Sequence, residues 1–297
     1  MRRGLALFAI VSALALGAGL YLTRPEVIAP EEIAGIEPDL ARGEHVFHAA
    51  GCASCHAADE ATGEDRLILS GGHRLVTEFG TFVAPNISQD TEHGIGGWSR
   101  AEVVTALVKG TSRDGRHLYP ALPYAAYEKA ELSDMVSLAA FLETLPADPT
   151  PSPPHELSFP FSIRAGIGLW KAVNLGGGWA VDVPEDDPEL VRGRYLAEAL
   201  SHCGECHTPR DPAQGLDTAR WFAGAPNPSG KGRIPNITPA GLDWSEDDVA
   251  AFLETGFKPD FDVAGGSMTA VVTEMGLLPK EDVAAIAAYV KAVPAAE

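Results

Sequence analysis

The sequence predicts an all-α protein: two tandem copies of one small helical domain, following an N-terminal transmembrane helix. Three observations carry that expectation. Residues 4–22 contain no charge and follow the basic Met1-Arg2-Arg3. A short cysteine motif occurs twice, first at Cys52 and again at Cys203. A set of landmarks then recurs in the same order after each motif, which is how an internal repeat declares itself.

The motifs are Cys52-Ala53-Ser54-Cys55-His56 and Cys203-Gly204-Glu205-Cys206-His207. Cys-x-x-Cys-His is the c-type haem attachment pattern. Two thiols add across the vinyl groups, and the adjacent imidazole binds the iron from one face. A redox disulfide or a zinc site could use Cys-x-x-Cys, but neither needs His directly after the second Cys. Both motifs carry that His and together they use all four cysteines. The expected cofactors are two covalently bound haem c groups, with His56 and His207 as iron ligands.

The N-terminal stretch of nineteen uncharged residues is at the short end for a membrane span and longer than the usual signal-peptide core. It reads as an anchor over 1–23, with a cleaved signal peptide as the alternative. The positive-inside rule then puts Arg2 and Arg3 in the cytoplasm and the rest outside. The expected location is the bacterial inner membrane, with the haem domains in the periplasm. A tether follows over 24–38, with Pro25, Pro30 and Pro38. The first haem domain spans 39–147, a proline-dense linker 148–188, and the second domain 189–297. The net charge of -19 excludes nucleic acid as a partner. It suits solubility, or docking to a partner with a basic patch.

Within the first domain, a helical pattern starts at Asp39 and runs into the motif. Residues 71–97 read as a glycine-rich loop. Ser99 with Glu102 three residues on forms a capping-box signature, and Gly110 should end that helix. Residues 133–144 form an amphipathic helix stopped by Pro146. The linker holds a short helical pattern around residues 163–170, weakened by two glycines. The second domain repeats these marks. Arg192-Gly193-Arg194-Tyr195 answers Arg42-Gly43-Glu44-His45, and Pro235-Asn236-Ile237-Thr238 answers Pro85-Asn86-Ile87-Ser88. Trp244-Ser245 answers Trp98-Ser99, and Gly256 answers Gly110.

An electron-transfer haem normally has a second axial ligand. In the second domain Met268 stands in the loop Gly265-Gly266-Ser267-Met268-Thr269, and Met275 is its competitor. Gly256 to Met268 is twelve residues, and twelve residues from Gly110 lead to Leu122, which cannot bind iron. His117 in the same loop is the expected ligand of the first haem. Met135 reads as core, and His73 and His93 are spares. His45, His48, His155 and His202 read as solvated or structural.

With these motifs in place, the chain resembles the membrane-anchored di-haem class I cytochromes c, in particular the cytochrome c subunits of periplasmic alcohol and sugar dehydrogenases. The residues that carry the resemblance are the two attachment motifs, the Pro-Asn-Ile-Ser/Thr after each, Tyr119-Pro120-Ala121-Leu122-Pro123-Tyr124, residues 202–210 and 244–249, and Gly265-Gly266-Ser267-Met268. The resemblance implies tandem class I cytochrome c domains, each a few helices around its haem. It also implies backbone carbonyls from Pro85 and Pro235 to the far nitrogens of His56 and His207. Gly43, Phe47 and Phe141, and likewise Gly193 and Tyr289, would lie where the first and last helices cross. The chain departs from the alcohol-oxidising relatives in having two haem domains rather than three, and Leu122 where they carry Met.

The function implied is electron transfer between a dehydrogenase or other redox partner and the respiratory chain, without catalysis by the chain itself. The rival is a di-haem enzyme, peroxidase-like, with an open coordination position at the first haem where Leu122 stands.

Overall fold

The computed structural model describes residues 10–296 except 15, 16 and 20. The expected transmembrane helix over 4–22 lies partly outside the described residues. Among the described residues no helix is long and apolar enough to cross a membrane. The spanning helix is therefore withdrawn from the architecture. The uncharged run is short for a bilayer, and Gly4, Gly17 and Gly19 weaken its helical pattern. In the segment that follows, Ile28 and Ile33 are buried. Pro30–Ile33 forms a single helical turn.

Helix α1 (Leu40–Ala49) is capped by the Asp39 side chain, which accepts from the Ala41 and Arg42 N–H groups. Gly51, in the left-handed region, turns the chain into α2 (Cys52–His56), the first attachment motif. A hairpin follows, β1 (Arg74–Thr77) against β2 (Gly80–Val83). Helix α3 (Arg100–Lys109) has the expected capping box of Ser99 and Glu102 and ends on left-handed Gly110. The short α4 (Tyr124–Tyr127) and α5 (Leu132–Leu142) complete the domain. The linker contributes β3 (Glu156–Leu157), paired to β2, and then α6 (Gly166–Asn174).

The second domain retraces this path. Helix α7 (Pro188–Arg194) runs into a π-helical stretch, Tyr195–Leu200, before α8 (Gly204–His207) carries the second motif. Strands β4 (Ala225–Pro226) and β5 (Arg233–Ile234) form a small antiparallel pair. Helix α9 (Glu246–Thr255) starts at the Ser245 and Asp248 capping box and ends on left-handed Gly256. Helices α10 (Met268–Met275) and α11 (Lys280–Ala292) close the unit.

The expectation of an all-α protein is corrected by these strands. The segment 74–83 has β-branched and aromatic residues, Val76, Thr77, Thr81, Phe82 and Val83, around a tight turn at Glu78-Phe79. Glycines on either side dominated the loop reading and masked that signal. Gly80 sits where an added Cβ would lie 2.3 Å from the Glu156 carbonyl oxygen, so β3 can press against it.

Each domain is organised by its first helix crossing its last at close range. A Cβ on Gly43 would lie 2.2 Å from the Ser137 carbonyl oxygen, and one on Gly193 would lie 2.0 Å from that of Ala285. The Phe47 and Phe141 rings meet at 5.3 Å beside the first crossing. Tyr289, fully buried, packs against Gly193 at the second. Such clashes with backbone cannot be relieved by a rotamer change. Gly193→Ala should therefore cost about 2 kcal/mol or more in a denaturant titration. Gly35→Ala, where nothing lies within 4 Å, should cost far less. Equal midpoints for the two variants would show that the crossing is not tight.

Candidate haem sites

Both attachment motifs sit directly after a helix that the crossing holds in place. The local geometry is the same in each. The His56 ring donates from Nδ1 to the Pro85 carbonyl at 2.8 Å, and His207 does so to Pro235 at 2.9 Å. The peptide after each proline-facing turn is tied back to the motif. Gly71 N–H donates to the His56 carbonyl at 2.7 Å, and Gly224 N–H to that of His207 at 2.8 Å. With Nδ1–H committed, Nε2 keeps its lone pair, the tautomer a haem ligand requires. Burial lowers the pKa of both rings, which keeps them neutral and able to coordinate.

The cysteines are free thiols: Cys52 and Cys203 half-buried, Cys55 and Cys206 exposed. Burial pushes Cys52 and Cys203 up to about 12. Among the described residues no cluster of three or more His, Cys, Asp and Glu side chains could hold a metal ion. The donor set therefore fits one imidazole per iron with two thiols for covalent attachment, and it does not fit a zinc site.

Met268 is the first residue of α10 and is half-buried. Its competitor Met275 is 3% exposed and belongs to the core, as does Met135 at 0%. Leu122 occupies the corresponding place in the first domain, packed against the core. His117 is buried, with Nε2 2.9 Å from the Thr23 carbonyl oxygen and Nδ1 without a partner among the described residues. Coordination through Nε2 requires that bond to be exchanged for the iron. The spare histidines are otherwise engaged. His73 Nδ1 donates to Asp59 at 2.7 Å, and His93 stands 4.0 Å from Glu92. His155 Nδ1 accepts from the Val83 N–H at 3.1 Å.

Residues in and beside each motif meet the other domain across the boundary. Ser54 Oγ, inside the first motif, donates to the Ala270 carbonyl of α10 at 3.4 Å. His202, adjoining the second motif, lies 3.4 Å from the Ala50 carbonyl. Tyr127 donates to the same carbonyl and packs edge-on against His202 at 5.9 Å between ring centres. Charges lock this contact. Asp282 is gripped by Arg192 of its own domain, at 2.7 and 2.8 Å, and by His45 of the other. Asp134 is gripped in mirror fashion by Arg42 and by the Tyr195 hydroxyl. Glu274, 1% exposed, holds Arg66 and His48 of the first domain, and Glu198 holds Lys129.

None of the residues that bond across the domain boundary was given that role by the sequence, where His45, His48 and His202 read only as solvated or structural. The signal was there in the repeat: His45 and Tyr195 occupy matching positions, and each reaches the other domain's carboxylate.

Comparison with known proteins decides what this arrangement belongs to. The family model described as Cytochrome c matches residues 40–146. A protein named "Diheme cytochrome c-type" from Cereibacter sphaeroides is 53% identical over 297 residues, covering 100% of both chains. The chain belongs to the di-haem c-type cytochromes. Its cofactors are two covalently bound haem c groups. The cytochrome is also similar to the fructose dehydrogenase cytochrome subunit of Gluconobacter japonicus, at 37% identity over 92% of this chain. The cytochrome c subunit of the alcohol dehydrogenase (quinone) of Gluconobacter oxydans is 33% identical over 86% of it. The cytochrome spans about half the length of these two subunits, 56% and 54% respectively.

The boundary carboxylates give the cytochrome an acid limit. Burial opposes ionisation of Asp282 and Glu274, but hydrogen bonds and charge from His45 and Arg192, and from His48 and Arg66, outweigh it. Both carboxyls are held below their usual range. A group lowered on folding stabilises the folded arrangement fully above its unfolded value, near 4, and this is lost as pH falls through the folded value. Acidification below about pH 4 should separate the domains, seen as a rise in radius of gyration by small-angle scattering. A constant radius through that range would mean that apolar contacts alone hold the boundary.

Proposed function

We propose that the cytochrome carries single electrons in the periplasm between a dehydrogenase and the respiratory chain. The observation that carries this reading is that residues in and beside the two attachment motifs meet the opposite domain across a charge-locked boundary, Ser54 at α10 and His202 at the Ala50 carbonyl, which Tyr127 shares. Haem, when attached, supplies a one-electron carrier at each site. The chain's own work is to orient the two imidazoles and to fix the domains against each other. The dehydrogenase as donor is supported by the names of the relatives, which are cytochrome subunits of fructose and alcohol dehydrogenases. Export is supported by Arg2-Arg3 ahead of nineteen uncharged residues, and by attachment of haem c outside the bacterial cytoplasm.

The two sites are proposed to be ligated differently, His207 with Met268 and His56 with His117. The support for Met268 is its place at the head of α10, twelve residues after left-handed Gly256. The support for His117 is an imidazole five residues before Leu122 in the same loop, with Nδ1 unpaired among the described residues. Thioether favours reduced iron and imidazole the oxidised form, so the first site should have the lower potential. Leu122 favours a second reading, in which the first iron stays open and catalyses small-molecule chemistry, as in a peroxidase.

Carbon monoxide separates the two. As a relay, the wild-type cytochrome should bind none at either haem. Met268→Ala should lose the sulfur-to-iron charge-transfer band and open one haem, and His117→Ala should open the other. Met275→Ala should change neither spectrum. Carbon monoxide binding by wild type would favour the catalyst, and two low-spin haems in His117→Ala would remove His117 as ligand.

A further inference from the structure

Both domains carry the same tongue between the middle helix and residue 122 or 268. In the first, Thr111 bridges His117, and Gly110, Ser112 and Gly115 complete it. Ser112 N–H donates to the Arg116 carbonyl at 2.9 Å, Gly115 to Ser112 at 2.8 Å, and Leu118 to Gly110 at 2.7 Å. In the second, Phe257 bridges Val263. Lys258 donates to Asp262 at 2.8 Å, Phe261 to Lys258 at 2.9 Å, and Ala264 to Gly256 at 2.7 Å. The backbones agree bond for bond.

Their surroundings do not. The first tongue lies under α6 and the turn before it. Lys171 Nζ donates to the Lys109 and Gly110 carbonyls at 2.7 and 2.6 Å, satisfying the C-terminal end of α3. Arg164 donates to the His117 carbonyl, and Gly168 is so close that a Cβ there would sit 2.7 Å from His117 Nε2. Thr111 and His117 are buried as a result. In the second tongue the bridge partners Phe257 and Val263 are 57% and 54% exposed, and Phe261 at the tip is 88% exposed.

Phe261 has φ +65°, the left-handed region, where the sister tongue has Gly115 at +74°. That conformation is costly for a bulky side chain and free for glycine. The ring gains no burial in return. Folding alone would favour glycine at 261, so neither the strain nor the exposure is explained by the stability of this chain.

We propose that the tongue over residues 256–264 is the docking surface for the cytochrome's electron-exchange partner, a protein that presents an apolar helical face edged with lysine or arginine. This rests on the electron-transfer reading above. The chain itself shows what such a surface accepts: over the sister tongue it lays a helix that comes close at Gly168 and brings a lysine, Lys171, to the helix-end carbonyls. On the open tongue the exposed Phe257, Phe261 and Val263 add an apolar surface for a partner to cover. The charge balance also fits a basic partner. Asp262 is paired to Lys258 at 2.5 Å and Glu254 to Lys280 at 3.7 Å, which leaves Asp260 in the tongue, on a chain with a net charge of -19. The surface ends four residues before Met268, so a docked partner would lie beside the second site.

The test replaces Phe261 with the residue its sister tongue uses. Fully haem-loaded wild type and Phe261→Gly are reduced and mixed, in a stopped-flow instrument at low salt, with a small lysine-rich c-type cytochrome as acceptor. The wild-type rate should fall as salt rises, and Phe261→Gly should lower the second-order rate constant by about tenfold. Its thermal midpoint should equal or exceed wild type, because the turn is relaxed. Equal, non-zero rates would overturn the docking surface and leave the electron-transfer reading standing. No transfer by wild type would remove both. Wild-type binding to phosphatidylcholine vesicles, or a concentration-dependent mass, that is lost in Phe261→Gly would assign the tongue to lipid or to a second copy, and would overturn the partner assignment.

Discussion

The close crossing of first and last helices is the constraint on which each domain depends. It can form only where the first helix lacks a side chain, at Gly43 and Gly193, since backbone carbonyls of Ser137 and Ala285 fill the space a Cβ would need. The first helix leads within a few residues into the attachment motif. Fixing its axis therefore fixes where Cys52 to His56 and Cys203 to His207 point. The Pro85 and Pro235 carbonyls then finish the orientation by accepting a hydrogen bond from Nδ1–H of each imidazole ring. Packing sets the direction of the site, and a single hydrogen bond sets its tautomer.

The boundary between domains reuses the same elements. Arg42 and Arg192, on the first helices, each hold an aspartate at the head of the last helix, Asp134 and Asp282. Each aspartate has capacity to accept another bond, and the opposite domain supplies it from His45 or Tyr195. The groups that brace a domain internally are thus also the ones that join it to its neighbour. Buried carboxylates left without these partners would be strongly unfavourable, so the domains are more stable together than apart.

Much of this was legible in the sequence. Helix starts at Ser99 and Ser245 and stops at Gly110 and Gly256 depend on local chemistry, a capping side chain and a left-handed glycine, and local chemistry is what a sequence displays. The attachment motifs are legible for the same reason. The β1–β2 hairpin was hidden because Gly71, Gly72 and Gly80 look like loop until a partner strand is known. The boundary charges were hidden because their spacing in sequence, 237 residues for His45 and Asp282, carries no periodic signal. The placement of His117 under α6 was hidden too, because it depends on where a linker helix folds back.

The repeat exposes function where its two copies disagree. At matched backbone positions, differences cannot be attributed to the fold, which is common to both. The first copy has Leu122 and a tongue covered by its own linker; the second has Met268 and a tongue left bare. The linker can cover only one tongue, because it leaves the first domain at Pro146 and must enter the second at Pro188. The covered copy gains internal burial around residue 122, and the open copy keeps an apolar surface beside residue 268. Duplication supplied two equivalent sites, and the single linker between them is what made one inward-facing and the other available for contact.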